Sequence, residues 1–243
     1  MKSLSKLYII TPFKGNDIAS LESTMESIKN SFIEIKIIHI VVYFQTDLSN
    51  ISLVEINNNS NKSSYNLRTM EIKNPGIYTA INCALDTIKK NNFYLVLGSG
   101  DIIESINNKK ISIIQENIIL LNYELSSHKK INLIRDKYSG MPYCHNAIIF
   151  KNSNLRYSNN YSISSDYEYF LNYLNKYQIK FKNFSKYINY DFKLIFESKI
   201  GLSSNSRIKK NYENLIICIK FFGLKGIINF IKNKINYFLI NVN

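Results

Sequence analysis

The amino-acid sequence predicts a Rossmann-like α/β fold, a three-layer sandwich around a mixed, mostly parallel central sheet, with a helical tail at the C-terminus. Short runs rich in β-branched and aromatic residues alternate with segments whose apolar residues recur every three or four positions. This alternation is typical of parallel strands joined by crossover helices. With 45% hydrophobic residues in 243 positions, the chain can bury a sizeable core in one domain.

Apolar patterning places the elements in order. Residues 7–11 form a β-branched and aromatic run that Pro12 closes, so a first strand ends there in a loop. An amphipathic helix follows, and then a strand dense in Ile and Val, as expected for a strand covered on both faces. The strands are predicted over residues 7–11, 35–44, 93–97, 147–150 and 187–196. The helices are predicted over residues 17–32, 77–90 and 166–176, the second of them behind a Pro75-Gly76 turn.

Three segments have weaker patterns. Residues 51–56 lie in a polar, Asn-rich region and could form a short strand, a helix is expected near Glu104, and residues 111–123 fit either a helix or a strand.

Ligands of parallel α/β sheets bind beyond the carboxyl ends of the strands. The loops expected to converge on one crevice are those at Thr11, Phe44 and Gly98.

The composition narrows the class of protein. Three scattered cysteines fit neither a disulfide framework nor a CxxC metal site, which favours a reducing cytoplasm. The N-terminal residues do not have the pattern of a signal peptide, and no run of about 18 uncharged apolar residues occurs. The formal charge of +13 would suit a polyanion, but part of it can reflect an AT-rich coding sequence, given the abundant Asn, Ile and Lys. The lysines are scattered and no nucleic-acid-binding module is recognisable, so nucleic acid is not an expected partner.

Four short motifs occur in a fixed order. They are Pro75-Gly76-Ile77-Tyr78-Thr79-Ala80-Ile81-Asn82, Leu97-Gly98-Ser99-Gly100-Asp101, His145-Asn146-Ala147-Ile148-Ile149-Phe150 and Ser164-Ser165-Asp166-Tyr167-Glu168. With these motifs and its first strand, the chain resembles the family-two inverting glycosyltransferases of the GT-A fold, especially those that build bacterial surface polysaccharides. The resemblance covers roughly residues 7–215.

The resemblance implies transfer of a sugar from a nucleotide-diphosphate donor, with a UDP-sugar favoured, to a saccharide or lipid-linked acceptor with inversion. Lipopolysaccharide O-antigen, capsule or exopolysaccharide synthesis would be the setting. Arg68 could meet the donor's phosphate or base or be solvated, and Tyr78 could line the donor site or belong to the core. The residues expected to bind the donor are Thr11, Pro12, Phe13, Arg68, Gly76, Tyr78, Asn82, Gly98, Ser99, Gly100, Ser203 and Arg207.

Asp101 is the candidate metal ligand. A divalent ion, Mn²⁺ or Mg²⁺, held by an acidic loop at a strand end would neutralise the diphosphate as it leaves. Ser99 takes the place of the first acidic residue in the family's D-x-D element, so metal binding would rest largely on Asp101. The alternative is a simple turn with a solvated aspartate.

Asp166 is the candidate catalytic base, because direct displacement at the anomeric carbon needs a group that takes the proton of the acceptor hydroxyl. Its alternative role is a helix N-cap. His145 occupies the place where the family carries a histidine, so it would orient substrate, complete the metal shell or be structural. Glu168 follows Asp166 by two residues and should point away from it on a helix.

Residues 1–208 are expected to form the catalytic domain, and residues 209–243 a basic, amphipathic tail. Lysines interleaved with Ile and Phe at helical spacing suit a helix lying on an anionic membrane, and Gly223 and Gly226 should divide it in two. Packing of this helix on the domain is the alternative. The expected location is the cytoplasm, with peripheral attachment to the inner face of the cell membrane.

Two other functions stay open. A degenerate family member would bind a nucleotide sugar without turning it over. Asn74, Thr79 and Ser99 suggest this, because each stands where the family commonly carries an acidic residue. A basic nucleic-acid-binding protein is the further alternative.

Overall fold

The structure is a computed structural model that describes residues 4–14, 17–32, 35–44, 64–105, 117–125, 134–196 and 206–242. Its strands are β1 (Lys6–Phe13), β2 (Lys36–Phe44), β3 (Tyr65–Ile72), β4 (Phe93–Val96), β5 (Ile102–Ser105), β6 (Ile118–Leu125), β7 (Ile148–Lys151) and β8 (Ile188–Phe196). Its α-helices are α1 (Ile18–Ser31), α2 (Ile77–Thr87), α3 (Ser165–Lys176) and α4 (Arg207–Val242). Two 3₁₀ helices cover His145–Ala147 and Phe181–Tyr187.

All of these strands join one mixed sheet in the order β3-β2-β1-β4-β7-β6-β8-β5. The first four in this order are parallel neighbours, whereas β7 runs antiparallel to both β4 and β6. At the far edge β6 and β8 are parallel, and β5 pairs antiparallel with β8. The sheet is therefore mixed, as predicted, with its parallel half formed by the N-terminal strands.

The path of the chain explains the three layers. From β1 the chain passes through α1 to β2 and β3, and α2 then returns it to β4 on the other side of β1. Crossovers between parallel strands are right-handed, so connections in opposite directions place α1 and α2 on opposite faces of the sheet. The carboxyl ends of β1 and β4 border the point where the direction reverses, which is where open α/β sheets bind ligands.

Local sequence accounts for the first helix. Asp17 caps α1 by accepting a hydrogen bond from the backbone N–H of Ser20 at 3.0 Å. Leu21, Met25 and Ile28, at three- and four-residue spacing, are buried against the sheet. The predicted helix over residues 17–32 is confirmed within one residue at each end.

Two predictions about strands were wrong or incomplete. The helix expected near Glu104 is instead the strand β5, which pairs with β8, and the Glu104 carboxylate lies 3.1 Å from Nζ of Lys193 on that strand. Residues 65–72 form β3, which the sequence analysis did not assign, whereas the possible strand at 51–56 lies outside the described residues. Of residues 111–123, the described part from Ile118 onward is the strand β6.

The tail is a helical hairpin. Gly223 has φ 56° and ψ −141°, which breaks α4 into a proximal arm, residues 207–222, and a distal arm, residues 224–242. Nζ of Lys234 lies 2.7 Å from the side-chain oxygen of Asn211, although a straight helix would separate these residues by about 34 Å. The two arms therefore lie side by side. A Cβ at Gly226 would meet the Cys218 carbonyl oxygen at 2.4 Å, so Gly226 permits the close approach of the arms rather than a second break.

The proximal arm packs on the α/β part of the chain. Ile217 and Cys218 are fully buried, and Nζ of Lys220 lies 2.6 Å from the carboxylate of Glu168 on α3. Glu168 is 5% exposed. This contact with the tail agrees with the expectation that Glu168 points away from Asp166.

Candidate active site

The loop after β4 is fastened to α1. The backbone N–H of Gly100 donates to the Thr24 hydroxyl at 2.9 Å, and the same N–H lies 3.2 Å from the carbonyl oxygen of Ser20. Gly100 has φ +95°, a conformation that favours glycine over other residues. The loop from Gly98 to Asp101 is thus fixed at the switch point of the sheet.

Asp101 is held from two sides. Its Oδ2 accepts hydrogen bonds from the backbone N–H of Gly98 and from Nδ2 of Asn146, both at 2.7 Å. A Cβ on residue 98 would approach this oxygen to 3.1 Å, so a glycine there leaves the carboxylate room. Asn146 was not predicted as a site residue. Its position next to His145 in the third motif was the available signal.

His145 lies next to Asn146 in the 3₁₀ turn that precedes β7. Its Nε2 is 2.7 Å from the Tyr157 hydroxyl, which fixes the orientation of the ring. Burial lowers the pKa of His145, although Asp166 and Asn146 act to raise it. His145 is therefore a neutral imidazole near pH 7, directed by Tyr157 and close enough to Asp166 to interact with its charge.

Asp166 lies in the first turn of α3. The N-cap of this helix is Ser164, so the alternative role of Asp166 as the N-cap itself is not what the structure has. Its Oδ1 accepts a hydrogen bond from the backbone N–H of Tyr167 at 2.8 Å. Burial raises the pKa of Asp166, while His145, the Tyr167 N–H and Lys210 act to lower it. A carboxylate with a raised pKa is a better proton acceptor at neutral pH than an ordinary aspartate.

Asp101 and Asp166 face a common region. Burial raises the pKa of the Cys144 thiol to about 12, and the negative charges of Asp101 and Asp166 both add to this rise. Cys144 directly precedes His145, so this turn lies near both carboxylates. The second, third and fourth motifs of the sequence therefore lie close together around this turn.

Three serine hydroxyls in these motifs have no hydrogen-bond partner among the described residues, although they are buried. They are Oγ of Ser99, Ser164 and Ser165. Buried hydroxyls are normally paired, because an unpaired one loses its hydrogen bonds to water without replacement.

Glu213 on the proximal arm braces the loop that leads into Asp166. Its carboxylate accepts hydrogen bonds from the backbone N–H groups of Ser162, Ile163 and Ser164 at 2.8–3.0 Å, and from the Ser162 hydroxyl at 3.1 Å. Glu213 is 5% exposed. Burial acts to raise its pKa, but the hydrogen bonds outweigh burial and hold the pKa below its usual value. The sequence analysis missed this residue.

Tyr78 and Asn82 hold the same loop from the side of α2. The Tyr78 hydroxyl donates to the carbonyl oxygen of Ile163 at 2.6 Å. The Asn82 amide pairs with both the carbonyl oxygen and the N–H of Tyr157, each at 2.8 Å. These polar groups, predicted to line the donor site, fasten the segment between β7 and α3 to α2.

Thr11, at the end of β1 beside the switch point of the sheet, has a buried side chain. The Thr11 hydroxyl lies 2.8 Å from Nε2 of His39, whose Nδ1 is 2.7 Å from the Tyr65 hydroxyl. Burial, assisted by the charge of Lys29, lowers the pKa of His39 to about 3, so this chain of hydrogen bonds is neutral. The Thr11 and Phe13 side chains are buried, and Pro12 is half-buried.

The remaining candidates for donor binding are exposed residues or lie outside the described residues. Arg68 is exposed in the middle of β3, with its Nε 3.3 Å from the side-chain oxygen of Asn66. Gly76, with φ +145°, precedes α2 and is exposed. Arg207 begins α4 and is exposed, and Ser203 lies outside the described residues.

Whether this site can hold a metal ion depends on Asp101. Within the described ranges, no group of three His, Cys, Asp or Glu side chains could hold a metal ion by itself. Proteins commonly hold Mg²⁺ through one or two carboxylates together with substrate phosphates. The fixed Asp101 carboxylate fits that kind of site, in which a diphosphate supplies the other ligands.

Comparison with known proteins identifies the fold. No family model matches the chain, and no curated protein matches it. Among solved structures, TarS from S. aureus, residues 1–349 in complex with UDP-GlcNAc, has a TM-score of 0.60 at 13% identity, over 93% of this chain and 71% of that chain. The same TarS fragment in complex with UDP has a TM-score of 0.58 at 12% identity, over 93% and 70%.

A third similar structure comes from a different enzyme. The mannosyltransferase PcManGT from Pyrobaculum calidifontis, in complex with GDP-Man and Mn²⁺, has a TM-score of 0.61 at 12% identity. The match covers 89% of this chain and 64% of the mannosyltransferase. Identities this low are informative about the fold alone. The chain has the GT-A glycosyltransferase fold that its sequence predicted.

Proposed function

We propose that this protein is a nucleotide-sugar glycosyltransferase that acts with inversion at the anomeric carbon. The observation that carries the proposal is the convergence of Asp101, fixed by Gly98 and Asn146, with Asp166 around the turn at Cys144 and His145. The two carboxylates come from separate segments at the carboxyl edge of the sheet, so one can serve the leaving group and the other the acceptor.

The donor is proposed to be a nucleotide diphosphate sugar, with a UDP-sugar favoured. TarS is seen with UDP and UDP-GlcNAc, and the mannosyltransferase with GDP-Man, on the fold that this chain shares. The switch point between β1 and β4 is the place where this fold would receive the nucleotide. Thr11, Pro12 and Phe13 would border the base, with contacts through the backbone and the ring.

The reaction is proposed as a single displacement. The acceptor oxygen attacks the anomeric carbon while the bond from that carbon to the donor phosphate oxygen breaks. The hydroxyl proton passes to Asp166, and the nucleoside diphosphate leaves with the bonding electron pair. One displacement inverts the configuration. The raised pKa of Asp166 supports its role as the base, and His145, held neutral by burial, would orient the acceptor.

Asp101 is proposed to hold a divalent ion, Mn²⁺ or Mg²⁺, together with the donor diphosphate. A bound ion would supply neutralisation of the negative charge that builds up on the leaving diphosphate. The hydrogen bonds from Gly98 and Asn146 to Oδ2 orient the carboxylate for this contact. Arg207, at the start of the tail, is proposed as a further contact to phosphate.

The acceptor is proposed to be a saccharide or a lipid-linked saccharide, in O-antigen, capsule or exopolysaccharide synthesis. This part rests on the resemblance of the four motifs to surface-polysaccharide enzymes. A lipid-linked acceptor would also suit a protein that works at a membrane.

The test is transfer or hydrolysis with a panel of UDP-, GDP- and dTDP-sugars, with and without Mn²⁺. Asp101→Ala and Asp166→Asn are expected to lower turnover of the accepted donor steeply. Asp86→Asn is the matched control, because Asp86 is an exposed aspartate at the far end of α2 whose contact is an ion pair with Arg156 at 2.7 Å. Loss of turnover in all three variants, or no binding of any donor, would refute the assignment.

A second candidate is a protein that binds a nucleotide sugar without turning it over. Ser99 in place of an acidic residue, and the single carboxylate at the end of β4, favour it to some degree. Calorimetry separates the two, since donor binding without turnover in any acceptor mixture would support the second candidate.

A further inference from the structure

The distal arm exposes a continuous apolar stripe. Five residues, spaced three or four apart along this helix, have between 51% and 72% of their surface exposed. They are Leu224, Ile228, Ile231, Ile235 and Leu239, called here the apolar stripe. Large aliphatic side chains in a row on one helix face mark an interaction surface when nothing within the protein covers them.

The apolar stripe faces away from the part of the protein that the structure describes. Gly226 and Phe230, buried against the proximal arm, lie about 160–200° around the helix from Ile228 at 100° per residue. Lys234, which contacts Asn211 on the proximal arm, also lies off the stripe. Intramolecular packing therefore uses one side of the distal arm and leaves the opposite side apolar and open.

Charge identifies the kind of partner. Residues 214–243 contain no Asp or Glu, whereas Lys225 and Lys232 are exposed and lie beside Ile228, at three residues before it and four after. A helix with an apolar face bordered by lysines matches the surface of an anionic bilayer, whose headgroups attract the lysines while the acyl chains receive the aliphatic side chains.

We propose that the distal arm docks the protein on an anionic lipid bilayer, lying in the plane of the headgroups with the apolar stripe turned toward the acyl chains. The proposal stands independently of the proposed catalytic function. It accounts both for the large exposed aliphatic surface and for the basic charge of the tail.

A spanning helix is the competing arrangement. Residues Arg207–Asn236 are long and apolar enough, by length and composition, to cross a membrane. Gly223 folds this helix back on itself, however, and Ile217 and Cys218 are buried in the domain. The distal arm alone would place Lys232 and Lys234 near its middle, and charged residues at the centre of a bilayer are costly. The hairpin therefore favours attachment in the plane of the membrane.

The first experiment uses fluorescence of the full chain. The protein contains no Trp, so Ile228→Trp introduces a single reporter on the apolar stripe. Tyr190→Trp is the matched control, because Tyr190 on β8 has the same exposed fraction as Ile228, 58%. Vesicles of phosphatidylcholine mixed with phosphatidylglycerol are expected to shift the emission of the first variant to shorter wavelength and to leave the control unchanged. Equal shifts, or no shift in either variant, would overturn the proposal.

The second experiment measures binding by vesicle flotation. Ile228→Glu with Ile231→Glu is expected to lower the partition coefficient on mixed vesicles by about tenfold or more. Lys225→Gln with Lys232→Gln should lower the partition coefficient by about fivefold for each lysine. The double variant should also bind mixed vesicles no better than vesicles of phosphatidylcholine alone. All of these side chains are exposed, so the melting temperature should not change. Equal binding of the unmodified protein to both vesicle types would contradict the charge argument. A dimer that dissociates in the Ile→Glu variant, without vesicle binding, would assign the stripe to a second copy of the chain.

Discussion

Replacement of Glu213 by Gln should weaken the protein and slow the reaction. The Glu213 carboxylate accepts three backbone N–H groups and one hydroxyl, two on each oxygen. A Gln amide offers one oxygen, so its NH₂ group would face two donors of the loop. Loss of two hydrogen bonds to a charged group, at roughly 1.5–3 kcal/mol each, predicts destabilisation of about 3 kcal/mol or more. For a chain of this size that corresponds to a fall in the melting temperature of about 6–12 °C.

The pH dependence of stability provides an independent check. The pKa of Glu213 is lower in the folded protein than its unfolded value of about 4.3. Its stabilising contribution is therefore complete above the unfolded pKa and is lost as the pH falls through the folded pKa. The melting temperatures of Glu213→Gln and the unmodified protein should converge in acid.

Glu168→Gln is the matched control, because it tests whether the loss of any buried contact with the tail lowers stability and kcat. Glu168 is also 5% exposed and also joins the tail to α3, but its partner is Lys220 rather than the loop before Asp166. This variant changes one contact to Lys220, which is mostly exposed, whereas Glu213→Gln disturbs two hydrogen bonds, so it should lose less stability than Glu213→Gln and should keep its kcat. Glu213→Gln should lower kcat with little change in the KM for the donor. Equal losses of stability and kcat in both variants would refute the bracing role.

The other predictions concern the two aspartates and the loop between β4 and β5. Because the pKa of Asp166 is raised, kcat should rise with pH at a higher pH than for an ordinary aspartate. Asp166→Asn should lower kcat by about 10²–10⁴-fold and remove this pH dependence. Mn²⁺, followed by electron paramagnetic resonance, should bind tightly when UDP is present and weakly without it, and Asp101→Ala should remove the UDP-dependent part. Gly98→Ala should lower kcat while the melting temperature changes little, since its Cβ would lie 3.1 Å from Oδ2 of Asp101; an unchanged kcat would contradict the role of that carboxylate.

The sequence predicted elements whose patterns are local. The helix α1 carries its cap and its apolar face within sixteen residues, and β1 is a continuous apolar run. The strand β3 was missed although Tyr65-Asn66-Leu67-Arg68 alternates between buried and exposed positions, because the segment was read for its polar composition. The strand β5 has only four residues, and its identity depends on pairing with β8, about ninety residues away.

The same distinction applies to the site. Asp101, His145 and Asp166 could be found because each lies in a short motif of recognisable type. Asn146 also lies in the third motif, but its role depends on a contact with Asp101 across 45 positions of the chain. Glu213 lies in none of the motifs and acts through contacts that span 49–51 positions, which no local pattern encodes. The sequence therefore identifies candidates for chemistry more readily than the residues that hold them in place.

The hairpin connects the two proposals physically, and this limits how they can be tested. The proximal arm supplies Glu213 to the loop before Asp166, while the distal arm exposes the apolar stripe. Truncation of the tail would remove the brace and the stripe together, so a loss of activity on membranes could arise from either cause. Point variants separate them, because Ile228 and Ile231 touch solvent and Glu213 touches the loop. If the bracing role is correct, Glu213→Gln should be slow with soluble and membrane-bound acceptors alike. If the docking role is correct, Ile228→Glu with Ile231→Glu should be slow only when the acceptor lies in a bilayer.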